Sequence, residues 1–400
     1  MVEYTNHVYK PLIETYPTWS ELKTYITSVE GGLLHISDEN EEYCIIRAKH
    51  HTIHTMPHVR WFRSTVWNKT MNRPVSVAPP NVQKQLPYQH CQEIVDAELF
   101  CQEFFDGFMI NCFIMSGSDD VHITSRSKLD ATGHFYSSKT FRELFLEACG
   151  DLGELIGPDA SKQEVSVSYS FLVQHKEHRV VTPIIENRTR LIQKATVMND
   201  GSVIIEDRFE TWNDRPNIPT IPLDPTMEFG EWLTQYFQGK TWEFQGVVLK
   251  DTHGNRWRFR NESYMAVKGL RGNSANHLER FAQLYVKNSI EHYLHYYPLD
   301  SYTFVCNNVF MNMIHQTVYN YYVQLHITKT IAMDDIDVQY RRHVWALHTY
   351  YLTVLRPQHK KITYKEVAYY FFQLPWHTLA YLLRMSQDSY FSLMSDVVNQ

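Results

Sequence analysis

The spacing at which apolar residues recur changes near residue 270, and this change constrains the fold more than any other feature of the chain. Before it, short stretches alternate, and VSVSYSFLVQ places Val165, Val167, Tyr169, Phe171 and Val173 on one face of a strand. After it, apolar residues recur three and four apart, as in NVFMNMIHQTVYNYYVQLHI, which is typical of amphipathic helices. The sequence therefore predicts an α+β protein, with a strand-rich domain over residues 1–268 and an all-helical domain over residues 269–400.

Turn and capping signals agree with the prediction of a strand-rich domain followed by a helical domain. Asn199-Asp200-Gly201 lies between two β-rich runs and predicts a hairpin, because glycine adopts positive φ without strain. QGVVLKDTHGNRWRFR predicts a second hairpin, with its turn at 253–255. Downstream, Thr363 and Glu366 have the spacing of a capping box at the start of a helix. The first domain should therefore be built from antiparallel sheets.

Composition excludes several classes of protein. With 38 Lys+Arg against 44 Asp+Glu, the net charge of -6 argues against a coat that covers nucleic acid over its whole surface. The six cysteines form no C-x-x-C pair, and we expect reduced, mostly buried thiols. The amino terminus has no apolar signal-peptide core, and no run reaches the roughly 18 apolar residues of a spanning helix. We expect a protein that is not secreted and has no membrane partner.

A series of short motifs follows in order along the first domain. The series comprises Arg63-Ser64 with Arg73-Pro74 and Pro79-Pro80, Phe104-Phe105-Asp106-Gly107, Ser125-Arg126-Ser127-Lys128, Tyr169-Ser170-Phe171-Leu172 continuing into His178-Arg179, Gln245-Gly246-Val247-Val248, and Arg258-Phe259-Arg260 with Tyr264. In order and spacing it resembles the phage-type ATP-dependent RNA ligases, which are covalent nucleotidyltransferases, and LRPQHKKITYKEVAYYFFQLP resembles the carboxyl-terminal domain of members from large DNA viruses. The resemblance implies an antiparallel-sheet nucleotidyltransferase domain followed by the helical domain.

The same resemblance implies that the catalytic residues have been lost. Phe104 stands where the family has a lysine whose amine attacks ATP, and a phenyl ring cannot act as that nucleophile. Leu172 replaces a nucleotide-binding glutamate, and Gln245 replaces a metal-binding carboxylate. Because hard divalent cations prefer carboxylate ligands, we expect no metal site and no cofactor. The pattern predicts a ligase-like fold without ligase chemistry.

The positions that remain are mostly cationic. The resemblance implies nucleotide or phosphate contacts at Arg63, Asp106, Gly107, Lys128, Arg258 and Arg260. Arg256, Arg258 and Arg260 also share one face of a strand at period two, so the segment Arg256–Arg271 is a candidate binding surface for RNA or DNA. The alternative is a solvated strand face whose arginines pair with neighbouring acids.

Two functions from different classes fit the sequence. The first is a pseudoenzyme of a large DNA virus, retained for nucleic-acid binding or for a structural or assembly role in which the helical domain contacts another viral protein. Such a protein would occupy the host cytoplasm or the viral factory, or be packaged in the virion. The second is an active RNA or polynucleotide ligase that uses ATP, Mg²⁺ and a displaced lysine, with Lys128 in Lys128-Leu129-Asp130-Ala131 as the first candidate.

Two sets of histidines are weaker candidates. His50, His51, His54 and His58 are dense enough for a metal site but share no strand or helix face. His175 and His178 lie at a turn, and we expect them on the surface.

Overall fold

The computed structural model describes residues 1–49, 51–156, 164–213 and 215–398, and the chain divides into two compact units, 1–266 and 267–400. The first unit contains all the described strands, and the second is helical. The strands are β1 (Val2–Asn6), β2 (His35–Glu39), β3 (Tyr43–Arg47), β4 (Thr65–Asn68), β5 (Arg73–Ser76), β6 (Phe100–Glu103), β7 (Phe108–Met115), β8 (His122–Ser125), β9 (Glu164–Gln174), β10 (Arg188–Met198), β11 (Val203–Asp207), β12 (Thr211–Trp212), β13 (Arg215–Pro216), β14 (Thr220–Ile221), β15 (Gly246–Lys250) and β16 (Arg256–Arg260).

Thirteen α-helices accompany these strands in the described part of the chain. They are α1 (Tyr9–Thr15), α2 (Trp19–Thr27), α3 (Cys91–Asp96), α4 (Phe141–Cys149), α5 (Leu152–Ile156), α6 (Phe229–Phe237), α7 (Glu262–Arg271), α8 (His277–Val286), α9 (Ile290–Tyr296), α10 (Ser301–Tyr322), α11 (Val338–Tyr350), α12 (Tyr364–Phe372) and α13 (Trp376–Val398). The protein is therefore α+β, with antiparallel sheets followed by a helical region.

The largest sheet has six strands in the order β1-β11-β10-β9-β7-β8, and every neighbouring pair is antiparallel. The predicted strand at VSVSYSFLVQ is β9, and Val167, Tyr169, Phe171 and Val173 lie in a core beneath α4 and α5. The predicted hairpin is also confirmed, because β10 and β11 pair across the turn and Gly201 has a φ of +84°.

Two four-stranded sheets and the two-stranded sheet β12-β13 complete the described part of the first unit. The sheet β2-β3-β4-β5 encloses a core with α1 and α2, and the sheet β14-β6-β15-β16 encloses another with α3 and α6. The hairpin predicted in QGVVLKDTHGNRWRFR is β15 and β16, which pair from Gly246 opposite Arg260 to Lys250 opposite Arg256. A buried ion pair, Lys250 Nζ to Asp207 Oδ1 at 2.6 Å, joins this sheet to β11 of the largest sheet.

The second unit confirms the helical periodicity. α10 and α11 contain the two apolar patterns, and each continues into a π-helical segment, at Val323–Thr328 and Tyr351–Leu355. At the start of α12 the Glu366 carboxylate accepts a hydrogen bond from the Thr363 backbone N–H at 3.2 Å, as the capping pattern predicts. Among the described residues, no helix is both long and apolar enough to cross a membrane.

The cysteine prediction is confirmed and the surface placement of two histidines is wrong. All six cysteines are free, five are buried, and Cys306 is half-buried. His175 and His178 are only 2% and 4% exposed. The turn folds inward because the Glu177 N–H donates to His175 Nδ1, and the His178 ring packs 4.7 Å from that of Phe108.

Candidate functional site

The four residues Phe104–Gly107 connect β6 of one sheet to β7 of another. The Phe104 N–H donates to the Gly246 carbonyl at 2.9 Å, which extends the pairing of β6 with β15. Asp106 is 5% exposed, and its Oδ2 accepts from the backbone N–H groups of Val181 and Thr182 at 2.8 and 3.0 Å. At Gly107 a Cβ would lie 2.5 Å from the Val173 carbonyl, so glycine permits the close approach of β9. Asp106 and Gly107 thus hold the junction together.

The aromatic residues of this junction contact arginines. The Arg258 and Arg260 guanidinium carbons each lie 5.6 Å from the centre of the Phe104 ring. Arg190 lies 4.2 Å from the centre of the Phe105 ring. These distances allow cation–π attraction. Phe104 therefore lies within cation–π distance of two guanidinium groups of β16.

The arginines of β16 alternate as the sequence predicts. Trp257 and Phe259 pack into the core beneath α3 and α6, and the three arginines point to the opposite side. Arg258 is exposed, whereas Arg256 is 7% exposed and its buried Nε and Nη1 atoms have no hydrogen-bond partner among the described residues. A buried donor without an acceptor is costly, so these atoms favour a site that binds an acceptor.

Further arginines from other elements surround β16. Burial, then repulsion from Arg256, Arg126 and Arg258, lowers the pKa of Arg63 to about 9. Burial, then repulsion from Arg260, Arg256 and Arg126, lowers the pKa of Arg258 to about 10. The pKa of Arg47 is lowered mainly by burial and further by repulsion from Arg126. We call these six residues, Arg47, Arg63, Arg126, Arg256, Arg258 and Arg260, the arginine cluster.

The arginine cluster is poor in counterions. Across the described ranges, no ion pair to a carboxylate involves Arg47, Arg63, Arg126, Arg258 or Arg260. The one attractive charge on Arg256 from a carboxylate comes from Asp207, which Lys250 already neutralises. The alternative of arginines paired with acids on a solvated strand face therefore fails for Arg258 and Arg260. Concentrated positive charge of this kind suits phosphate groups.

Two other residues of the motif series, Leu172 and Gln245, also lie near this junction. Leu172 is half-buried on β9, opposite Met109 of β7 and Arg190 of β10. Gln245 immediately precedes β15, is 6% exposed, and its buried Oε1 has no donor within the described chain. Folding thus brings Phe104, Leu172 and Gln245 to the strands that meet at residues 104–107.

The residues of this junction do not fit a divalent metal ion. Such an ion needs several carboxylate or carbonyl oxygens, but the Asp106 carboxylate accepts two backbone hydrogen bonds and Leu172 and Gln245 offer no negative charge. The pKa of the nearby Glu103 is raised by burial, which opposes its charged form. The arginine cluster would repel the cation. The local chemistry suits an anion instead.

Lys128, the candidate displaced nucleophile, has a partner of its own. Its Nζ lies 3.5 Å from Asp38 Oδ1, and the neighbouring Leu129 N–H donates to the same carboxylate at 3.0 Å. The side chain is half-exposed, and its ammonium group is held as the counterion of a carboxylate rather than offered as a nucleophile. Its neighbour Arg126 belongs to the arginine cluster.

The described part of the histidine-rich segment gives no ligand cluster. His50 lies outside the described residues, His51 and His54 are exposed, and His58 Nε2 is 2.9 Å from the Gly31 carbonyl. In the described chain, the three groups close enough to share an ion are Glu147, His175 and Glu177. The Lys139 ammonium already lies 2.9 and 2.7 Å from the two carboxylates and acts as their counterion.

The sequence does not identify two members of the arginine cluster, and it assigns Arg271 to a surface to which it does not belong. Arg126 lies inside Ser125-Arg126-Ser127-Lys128, where the motif points to Lys128, and Arg47 ends the buried strand β3 with no motif to mark it. Arg271 instead belongs to the helical unit, where it is 6% exposed and bonds Asp300 at 3.0 Å. The segment Arg256–Arg271 is therefore not one continuous binding surface.

Comparison with known proteins does not assign the chain to a family. No protein-family model and no curated protein sequence matches the chain. One form of an archaeal ATP-dependent RNA ligase is similar over 70% of this chain and 68% of its own, with 12% identity and a TM-score of 0.38. A second form is similar over 74% and 73%, with 11% identity and a TM-score of 0.35. TM-scores this low carry no argument about fold or activity.

Proposed function

We propose that this protein is an RNA-ligase-like nucleotidyltransferase that has lost the covalent chemistry and binds nucleic acid through the arginine cluster. The observation that carries the proposal is the arginine cluster itself, in which Arg258 and Arg260 form no ion pair with a described carboxylate and lie next to the Phe104 ring. Arginine presents a planar fork that suits phosphate oxygens. The ordered motif series supports the family assignment independently of any overall similarity.

Loss of the covalent step follows from the residue types. Formation of a phosphoramidate needs a nitrogen lone pair at the attacking position, and Phe104 has none. The same arginines that once would have faced a nucleotide can still attract a phosphate backbone, because that attraction needs only charge. Binding without catalysis is therefore what the remaining residues can perform.

The direct test is the salt dependence of RNA binding. Wild-type protein should bind single-stranded RNA at low salt, with affinity that falls steeply as salt rises. Arg258→Ala and Arg260→Ala should each weaken binding roughly 10-fold and reduce the salt slope by about 1. Arg188→Ala is the matched control, because Arg188 is an exposed arginine already paired with Glu186, and it should change little. Fluorescence anisotropy across a salt series gives both quantities.

A second candidate function is a structural or assembly role. The net charge of -6 slightly favours it over extensive contact with nucleic acid. An absence of RNA and DNA binding even at low salt would support this role and contradict the first proposal. A third candidate, an active ligase using Lys128 with ATP and Mg²⁺, is disfavoured by the pairing of Lys128 with Asp38.

The viral assignment is part of the same proposal. It rests on the resemblance of LRPQHKKITYKEVAYYFFQLP to the carboxyl-terminal domain of the viral ligases. A viral member would act in the host cytoplasm or viral factory or be packaged in the virion, where the helical unit could contact another viral protein. Mass spectrometry of purified particles and of infected-cell fractions would distinguish these locations.

A further inference from the structure

Three aromatic side chains lie at or beside the connection between β6 and β7, next to the arginine cluster. Phe104 and Phe105 belong to the connection itself, and Trp242 lies on the segment just before β15. All three rings are half-buried, so part of each reaches solvent. We call Phe104, Phe105 and Trp242 the junction rings. Attraction of phosphate accounts for the arginines of this site but not for the rings.

Hydrogen bonds tie together the segments that carry the junction rings. The Asp106 carboxylate accepts from the backbone N–H groups of Val181 and Thr182 at 2.8 and 3.0 Å. The Thr182 hydroxyl in turn donates to the Glu243 carbonyl at 2.7 Å, one residue beyond Trp242. The connection between β6 and β7 and the segment before β15 are therefore fixed beside one another.

Each junction ring is paired with at least one arginine. Guanidinium carbons lie 4.2–5.6 Å from ring centres in the pairs Arg258 and Arg260 with Phe104, Arg190 with Phe105, and Arg179 with Trp242. The Arg190 guanidinium is also held in place because it donates to the Asn217 carbonyl and to Gln174 Oε1. Aromatic rings and guanidinium planes both offer flat faces on which a nucleobase can stack.

We propose that this site takes nucleic acid in its single-stranded form, with unpaired bases stacked on the junction rings and phosphates bound by the arginine cluster. The inference rests on the proposed function and names the form of nucleic acid that the site binds. A base within a duplex is already stacked on its neighbours and does not offer its face to a protein ring. An unpaired base does. A polyanion without bases would use the arginines and leave the rings unused.

Charge alone predicts the opposite preference. A duplex carries more phosphates per unit length than a single strand, so a purely electrostatic site binds the duplex more tightly. Tighter binding of the single strand would therefore report contacts to the bases and not to the backbone.

Three RNA ligands of equal length separate stacking from charge: a single strand, the same strand annealed to its complement, and an abasic strand that keeps the sugar–phosphate backbone. By fluorescence anisotropy at fixed salt, we expect the single strand to bind more tightly than the duplex and roughly 10-fold more tightly than the abasic strand. Binding of the duplex or the abasic strand that equals that of the single strand would overturn this inference and leave the proposed function intact. No binding of any of the three would contradict the proposed function and this inference with it.

Substitution of the rings tests where the bases stack. Phe104→Leu and Phe105→Leu should each weaken binding of the single strand roughly 10-fold and leave binding of the abasic strand unchanged, because leucine is apolar but has no flat face. Phe104→Tyr, which keeps the ring, should retain the wild-type affinity. Phe372→Leu is the matched control, because Phe372 is a half-buried phenylalanine of the helical unit whose ring lies 5.8 Å from that of Tyr285.

The abasic strand also separates stacking from a merely structural role of the rings. Equal losses for the single strand and the abasic strand in both leucine variants would mean that the rings only position the arginines, and would overturn the inference. Circular dichroism verifies that each variant is folded.

Discussion

Arg258 lies among other arginines, and their mutual repulsion opposes folding of the ligand-free protein. Burial and the nearby Arg260, Arg256 and Arg126 all lower its pKa, to about 10. Sites that gather like charges for binding commonly do so at a cost in stability. At this residue, binding and stability should respond to mutation in opposite directions.

Arg258→Gln tests that conflict. We expect the variant to bind RNA more weakly and yet to be more stable without ligand, by roughly 0.5 kcal/mol, a small figure because the exposed side chain is screened by solvent. Thermal unfolding with and without RNA measures both effects. Arg188→Gln, which removes an exposed arginine from its ion pair with Glu186, should not raise the unfolding temperature. An Arg258→Gln variant that is less stable and binds equally well would contradict the role given to this residue.

Individual residues of the site could be predicted only where they belong to a motif or to the alternating pattern of a strand. Arg256, Arg258 and Arg260 follow from alternation along a strand, and the structure places them on one side of β16. Arg47 has no such mark, because its proximity to Arg126 arises from strands far apart in sequence. His175 and His178 were misplaced, since a turn that folds inward has the same local sequence as one on the surface.

Two buried histidines, His315 on α10 and His343 on α11, should make the stability of the second unit depend on pH. Burial lowers the pKa of His315 from 6.5 to about 4, and burial with repulsion from Arg342 lowers that of His343 to about 4. His315 Nε2 has no partner within the described chain and its ring lies 5.0 Å from that of Phe371. His343 Nε2 accepts a hydrogen bond from Arg342 Nε at 3.2 Å. Protonation of Nε2 would therefore place its N–H against the N–H of Arg342.

The helical elements should therefore lose stability in mild acid. Between pH 6.5 and about 4, these histidines are protonated in the unfolded chain but remain neutral in the folded chain. Their contribution to the free energy of unfolding is therefore fully present above pH 6.5 and decreases as the pH falls toward about 4. We expect a loss of about 2 kcal/mol per histidine. Comparison of thermal unfolding at pH 7 and pH 4.5 should show a smaller loss for His315→Leu than for wild type. The exposed His292→Gln variant should keep the wild-type loss. Equal losses in all three would refute this origin of the acid sensitivity.

At the scale of elements, sequence patterns predicted the division into a strand-rich and a helical part and several individual elements. The β9 strand, the β10–β11 and β15–β16 hairpins, α10 and the start of α12 all lie where their periodicity or capping residues place them. The π-helical ends of α10 and α11 were not predictable, because nothing in the residue pattern distinguishes them from continued α-helix. The order of strands in the sheets was not predictable either, because it depends on long-range pairing.

The whole molecule combines a sheet-rich unit that contains a cationic site with a helical unit. Its net charge of -6 and its aromatic content of 14% conceal the two parts of that site, because the arginine cluster and the junction rings are both local. The spacing of apolar residues predicted the class of fold, whereas overall composition could not locate either part of the site.

The central claim of the proposed function is that the site does not form a covalent adenylate, and incubation with labelled ATP and a divalent cation tests it most directly. Phe104 offers no nucleophilic nitrogen and Lys128 is paired with Asp38, so the proposal predicts that the protein stays unlabelled after denaturing electrophoresis. Lys128→Ala serves as the companion variant. A covalent adenylate on the wild-type protein, mapped to Lys128 or to any other lysine, would contradict the account.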